Sequence, residues 1–207
     1  MAAKPGTATH ARHLRRLAGI SLALATGRRI GGMRLRLDQV DLAARELRIE
    51  REKGYTGRVL PIAAWAVEVL AAYLKDGRPR DLCIGGAKST AAPASASSSA
   101  PVPASESPWL FPGRNGGPVG SVQWGSDLHQ LVTRTIAANP DLDALSRKRL
   151  SWHSLRVSFA TMLFRGGCDI RSVNELLLHR CLSTTALYTP MQVDDLRRIL
   201  RTAHPRP

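Results

Sequence analysis

Residues 151–190, SWHSLRVSFATMLFRGGCDIRSVNELLLHRCLSTTALYTP, constrain the fold of this 207-residue chain more than any other stretch. Their apolar spacing calls for short helices separated by turns. Leu155, Phe159, Met162 and Leu163 form one helical stripe, and His153 and Arg156, three apart, project the same way from its edge. Gly166 and Gly167 end that helix. Asp169 is placed to cap a second one, whose Val173, Leu176 and Leu177 face the core. His179 closes it, Ser183 to Thr185 supply the next cap, and Tyr188 follows one turn in. Three short helices thus bring a His/Arg pair, a second His and a Tyr to one surface, a set of groups suited to a phosphate.

The charge balance points to the same kind of partner. Lys and Arg outnumber Asp and Glu 30 to 16, which gives a net charge of +14 and a pI near 11.1. A surplus of that size implies a polyanion, nucleic acid first. Cys83, Cys168 and Cys181 are too few and odd in number for a disulfide framework, which fits a reducing, cytoplasmic setting. No run of about 18 apolar residues exists, so no membrane partner is expected. The apolar GISLALA at 19–25 runs into TGRRIGG without a cleavage pattern and reads as core helix rather than signal peptide. A zinc site built from Cys168, His179 and Cys181 lacks a fourth ligand and the usual spacing. Neither a Ser/His/Asp arrangement nor a phosphate-cradling G-x-x-x-x-G-K is present.

Taken in order, residues 1–10 read as a polar, disordered tail and Ala11 to Ala25 as a helix that breaks at Thr26-Gly27. Arg28 and Arg29 follow the break. Arg45 to Glu50 and Gly57 to Ile62 have strand character, with Lys53-Gly54-Tyr55-Thr56 between them, and read as a β-hairpin. A helix from Ala63 to Leu74 comes next. Residues 85–108 are dominated by Ala, Ser and Pro, with almost nothing to bury, and are expected to form a loop insertion within one domain. Trp109 to Phe111 reads as a short buried strand and Val122 to Ala138 as a helix, on which His129 is an ordinary surface or packing residue. Arg147, Lys148 and Arg149, with Arg28, are candidate contacts to a DNA backbone. Val193 to Arg201 forms a last amphipathic helix. The expected fold class is α+β, mainly α-helical, with a small antiparallel sheet made of the hairpin at about 45–62 and a short strand at about 109–111.

HSLRVSFATML, then LLLHR, then Tyr188 nine positions after His179, resembles the C-terminal signature of the tyrosine recombinases, the phage integrase family. That signature reads H-x-L-R-H-T-F-A-T, then L-G-H, then a Tyr nine positions on. TGRRIGGM similarly resembles the family's T-G-x-R-I-x-E-L and aligns its first catalytic arginine with Arg29. The hairpin resembles G-K-x-x-K-x-R-x-x-P-L, with the family's lysine at Lys53, and Leu110-Phe111-Pro112 resembles its L-F-P. Two positions depart from the pattern: Gly32 stands where the family has an acidic residue, and Leu178 where it has the glycine before the second histidine.

The resemblance implies a catalytic domain over residues 11–207, without the family's preceding core-binding domain. It implies a site of Arg29, Lys53, His153, Arg156, His179 and Tyr188, with Tyr188 as nucleophile. The implied activity is that of a site-specific recombinase or integrase, which cuts and rejoins double-stranded DNA through a covalent 3′-phosphotyrosine. No metal, ATP or other cofactor is expected. The cationic site, with no carboxylate cluster, accords with metal-free phosphoryl transfer. A tetramer on two duplexes is implied as well, with the last helix docking on a neighbouring copy. Two alternatives share these residues: a catalytically impaired DNA-binding remnant, and a DNA-relaxing enzyme of the type IB topoisomerase kind.

Overall fold

The first helix, α1 (Ala8–Thr26), starts at Thr7, whose hydroxyl accepts a hydrogen bond from the His10 amide at 3.2 Å. It ends at Gly27, which turns the chain with φ of 63°. The computed structural model describes residues 7–50, 57–79, 107–113, 116–139, 141–142, 150–177 and 193–203. After α1, two short 3-10 turns (Ile30–Met33 and Leu37–Gln39) lead into an antiparallel sheet of β1 (Val40–Asp41), β2 (Glu46–Ile49) and β3 (Arg58–Pro61), in that order. The register pairs Val40 with Leu47 and Ile49 with Arg58. The hairpin read from the sequence is therefore β2–β3.

The sheet's third strand is residues 40–41 and not 109–111. Leu110 donates to the Leu35 carbonyl and Leu37 to the Pro108 carbonyl, both at 2.8 Å, which makes a single antiparallel bridge between Arg36 and Trp109. Pro108 and Pro112 flank these three residues and have no amide hydrogen to extend a ladder.

Helix α2 (Ala64–Ala72) continues into a π-helical turn (Tyr73–Gly77), and α3 (Ser121–Ala138) crosses α1. At the crossing a Cβ on Gly19 would stand 2.2 Å from Cη2 of Trp124, so the indole requires glycine there. Beside it the buried Asp127 carboxylate accepts from Arg16 Nε at 2.8 Å and Arg15 Nη2 at 3.4 Å. Aromatic residues are only 5% of the chain, yet four of them form one column. Tyr73 stacks on Phe111, Phe111 meets Trp124 edge-on and Trp124 meets Trp152, with centroids 5.1–5.5 Å apart.

The C-terminal part follows the sequence reading closely. Helix α4 (Trp152–Arg165) is capped by Ser151 and stops at Gly166, and Asp169 caps α5 (Ile170–Leu176) by accepting from the Arg171 and Ser172 amides. Helix α6 (Val193–Ala203) buries Leu196, Leu200 and Ala203 against Phe159, Leu163, Val173 and Leu176. Its Arg197 donates to the Ala44 carbonyl at 2.9 Å and to Glu46 at 2.6 Å. A Cβ on Gly166 would lie 2.3 Å from the Ala203 Cα, so α6 abuts the end of α4 directly. The last helix thus packs on its own chain, whereas the family resemblance implies a neighbouring copy. Among the described residues two core clusters result, one around α1, α2, α3 and the sheet, the other among α4, α5 and α6.

Candidate active site

The two clusters meet at Gly27. A Cβ there would stand 2.6 Å from both Leu177 Cδ2 and Phe159 Cδ1, and φ is in the left-handed region, so both space and backbone demand glycine. The chain past this point is held from α4. Arg156 Nη1 donates to the Gly27 carbonyl and Nη2 to the Leu177 carbonyl, both at 2.6 Å. Trp152 Nε1 donates to the Arg28 carbonyl at 3.2 Å. Trp152 and Arg156 are four residues apart, on one helix face, and so grip consecutive carbonyls.

Arg156 consequently lies on the buried line of α4 with Trp152, Phe159 and Leu163, and not on the edge of the apolar stripe. The two buried carbonyls draw it inward. His153 is exposed on the first turn of the same helix, so the three-residue spacing separates the pair: arginine in, histidine out.

Arg28, Arg29 and Arg156 line one cleft with Glu50, Leu60 and Leu177. Residues 127 positions apart in the chain, Arg29 and Arg156, are thereby brought together. Arg28 is half-buried, and its Nε and Nη2 both donate to the Gly32 carbonyl, at 3.0 and 2.6 Å. The Arg29 guanidinium is exposed and forms no hydrogen bond or ion pair with another described residue. An ion pair between Arg58 and Glu175 ties the hairpin to α5. His153 is not among the residues that line the cleft. Lys53, His179, Tyr188, Arg147, Lys148 and Arg149 lie outside the described residues, as do residues 1–6 and 80–106.

Sequence reading did not single out Trp152 or Glu50. Trp152 carried a signal, since it stands one turn before Arg156, but the acceptor of its N–H lies 124 positions away. What this cleft offers chemically is convergent positive charge. Guanidinium groups bind phosphate oxygens by forked hydrogen bonds and stay charged at any physiological pH.

The model of the phage integrase family matches residues 3–194. The chain belongs to this family. Among phage integrase relatives, it is 34% identical over 194 residues to the tyrosine recombinase XerD of Corynebacterium glutamicum, across 93% of this chain and 54% of that protein. The chain thus spans about half the length of that relative. Among solved structures, the integrase from mycobacterium phage Brujita shares the fold with a TM-score of 0.54 at 19% identity, over 98% of this chain and 58% of that one. The Tn1549 transposon integrase, solved in complex with circular intermediate DNA, has a TM-score of 0.51 at 17% identity, over 93% of this chain and 58% of that one.

Proposed function

We propose that this chain is the catalytic portion of a site-specific DNA recombinase that cuts and rejoins double-stranded DNA through Tyr188. The observation that carries the reading is the convergence of Arg29 and Arg156 on one cleft from opposite ends of the sequence. In this reading both hold the scissile phosphate and stabilise the negative charge of the pentacoordinate transition state. The Tyr188 phenol gives up its proton to a histidine of the site, its oxygen attacks phosphorus, the bond to the 5′ oxygen breaks, and Lys53 gives that oxygen its proton. His153 and His179 are the candidate acceptors of the phenol proton and donors of hydrogen bonds to the phosphate. The product is a 3′-phosphotyrosine, which keeps the phosphodiester energy for the reverse attack by a 5′ hydroxyl, so rejoining needs no ATP.

Sequence position supports these assignments: His179 follows Leu177 by two residues and Lys53 follows Glu50 by three, and Leu177 and Glu50 both line the cleft. Double-stranded DNA as partner is supported by the net charge of +14 and by the DNA complex of the transposon integrase. Exchange between two duplexes cuts four strands, so a tetramer, with one copy per strand, is the proposed assembly. No helix among the described residues is long and apolar enough to cross a membrane.

The test is a nicked suicide substrate, which loses a short fragment on cleavage and so traps the intermediate. The expected result is a covalent protein–DNA adduct, absent in Tyr188→Phe. Salt-dependent binding with no adduct, unchanged by Arg29→Ala and Tyr188→Phe, would instead assign the chain as a DNA-binding remnant. Relaxation of supercoiled plasmid without a target sequence would assign a topoisomerase-like activity.

A further inference from the structure

Arg28 is grouped by sequence with the arginines that touch DNA phosphates, yet its guanidinium is turned back on its own loop. We infer that Arg28 is a positioning residue, a latch on the Gly32 carbonyl that holds the 27–33 loop so that the neighbouring Arg29 faces the cleft. The inference deepens the proposed function and rests on its assignment of Arg29 as a phosphate-binding residue.

Two N–H groups of the fork, Nε and Nη2, converge on one carbonyl oxygen at 3.0 and 2.6 Å, closing a ring around Arg29 and the two residues after it. A charged donor makes these bonds stronger than neutral ones. Gly32 is what gives the latch its space. A Cβ there would stand 2.6 Å from Arg28 Nη2, 2.9 Å from Cζ and 3.0 Å from Nε, so any side chain at 32 would take the guanidinium's place. Gly32 lies outside the positive-φ glycines of the described chain, so its backbone does not call for glycine; what a Cβ there would displace is the movable end of the Arg28 side chain, off the Gly32 carbonyl.

The remaining contacts complete the frame around Arg29. Ahead of it, the Gly27 carbonyl is held by Arg156 and the Arg28 carbonyl by Trp152. Behind it, the Gly32 amide donates to the Arg29 carbonyl at 2.9 Å and the Gly32 carbonyl is held by Arg28. The backbone is thus tied on both sides of Arg29, while its own guanidinium has no partner among the described residues. That is the arrangement of a preorganised group, one whose orientation is fixed before substrate arrives.

A positioning role and a direct phosphate contact differ in what they change. The test measures the single-turnover rate of adduct formation at saturating nicked DNA, and separately the DNA affinity across a salt series, for Arg28→Ala, Arg28→Lys, Gly32→Ala and Arg28→Ala/Gly32→Ala. Misplacement of a catalytic group by about 1 Å lowers a rate by up to ~100-fold, so each single variant is expected to slow cleavage by roughly 10- to 100-fold. Gly32→Ala does so while keeping every charge, and Arg28→Lys fails to rescue because it keeps the charge but loses the fork. The double variant is expected to be no slower than Arg28→Ala, since Gly32→Ala acts only through Arg28. Affinity and its salt slope stay near wild type.

The latch is overturned if Gly32→Ala and Arg28→Lys cleave like wild type while Arg28→Ala weakens binding and lowers the salt slope by about one, the mark of a lost phosphate contact. Should the wild-type chain form no adduct at all, the proposed function has failed, and hydrogen exchange still decides the latch. Arg28→Ala and Gly32→Ala are then expected to speed exchange of the amides at 29–33 without changing α1 or α3. Unchanged exchange at 29–33 would contradict the latch by itself.

Discussion

Arg29 and Arg156 share a cleft but stand in opposite surroundings, and the difference can be measured. Arg156 is buried, and its side chain holds two carbonyls that would otherwise be buried without it. Hydrogen bonds to a charged group contribute about 1.5–3 kcal/mol each, so Arg156→Ala is expected to lower unfolding free energy by a few kcal/mol as well as stop cleavage. Arg29 is exposed, and Arg29→Ala is expected to leave stability within about 0.5 kcal/mol of wild type. Loss of a charge-stabilising donor would still slow adduct formation by roughly 10²–10³-fold. Chemical denaturation beside the trapping assay separates the two, and a destabilised Arg29→Ala would contradict its place outside the packed core. At this scale the sequence was legible where spacing is local. The T-G-x-R register and the H-x-x-R pair single out Arg29 and Arg156 without a fold, and the fold brings the two to one cleft. The inward turn of Arg156 and the Trp152 bond to the Arg28 carbonyl were not legible, because each depends on a partner more than 120 positions distant.

Helix ends were read well where the residues that fix them act within one turn. Helix α1, however, begins at Ala8 under a Thr7 cap, so residues 8–10 belong to the helix and not to the disordered tail expected through residue 10. Gly27, Gly166 and Asp169 each terminate or cap a helix through their own backbone or side chain. Asp169 also carries a pH signature. Hydrogen bonds from the Ser172 side chain, then from the Ser172 amide, hold its carboxyl below the ordinary value of 3.8. A depressed carboxyl stabilises the fold above its unfolded-state pKa, and that contribution is lost as pH falls through the lowered folded-state value. Asp169→Asn is therefore expected to lower stability near neutral pH and to flatten the acid limb of the stability curve. The difference from wild type vanishes only below the lowered folded-state value, where the Asp169 carboxyl is protonated in folded and unfolded chains alike. An unchanged limb would remove Asp169 from the account of acid unfolding. Asp127 shows what element-level reading misses. Nothing nearby distinguishes it from a solvated acid, and only the crossing of α1 and α3 buries it between Arg15 and Arg16. Asp127→Ala is expected to cost about 3–5 kcal/mol in a denaturant titration, since it removes the buried carboxylate that Arg16 and Arg15 both bond. A loss under about 1 kcal/mol, the range of exposed pairs, would contradict that burial. The strand expected at 109–111 is a single bridge because the flanking prolines lie in the residues read as L-F-P and just before them, a limit visible in sequence but outweighed by their apolar character.

Across the whole molecule, two cores joined at Gly27 place Arg29 from one side of the junction and Arg156 from the other in a single cleft. Most of the Ala/Ser/Pro-rich segment falls among residues 80–106, outside the described residues, but the chain on either side of it is described. Arg78 Nη2 donates to the Ser107 carbonyl at 2.7 Å and to the Trp109 carbonyl at 3.1 Å, so the chain before and after that segment is clamped together. Excising residues 85–104 is expected to leave unfolding free energy unchanged or higher by about 1 kcal/mol, as a shorter loop closes with less entropy loss. A clear loss of stability or of DNA binding would show that the segment takes part in the fold or the site. The packing of α6 on its own chain was not legible, because an amphipathic helix states that it needs a partner and not whose. The central claim, that DNA is cut by Tyr188, is tested most directly by mapping the trapped adduct. The chain has three tyrosines, Tyr55, Tyr73 and Tyr188, and Tyr73 is fully buried. Proteolysis of the adduct followed by mass spectrometry is expected to find the nucleotide on the peptide that carries Tyr188; its presence on Tyr55 or on a serine, or no modified peptide at all, would contradict the account.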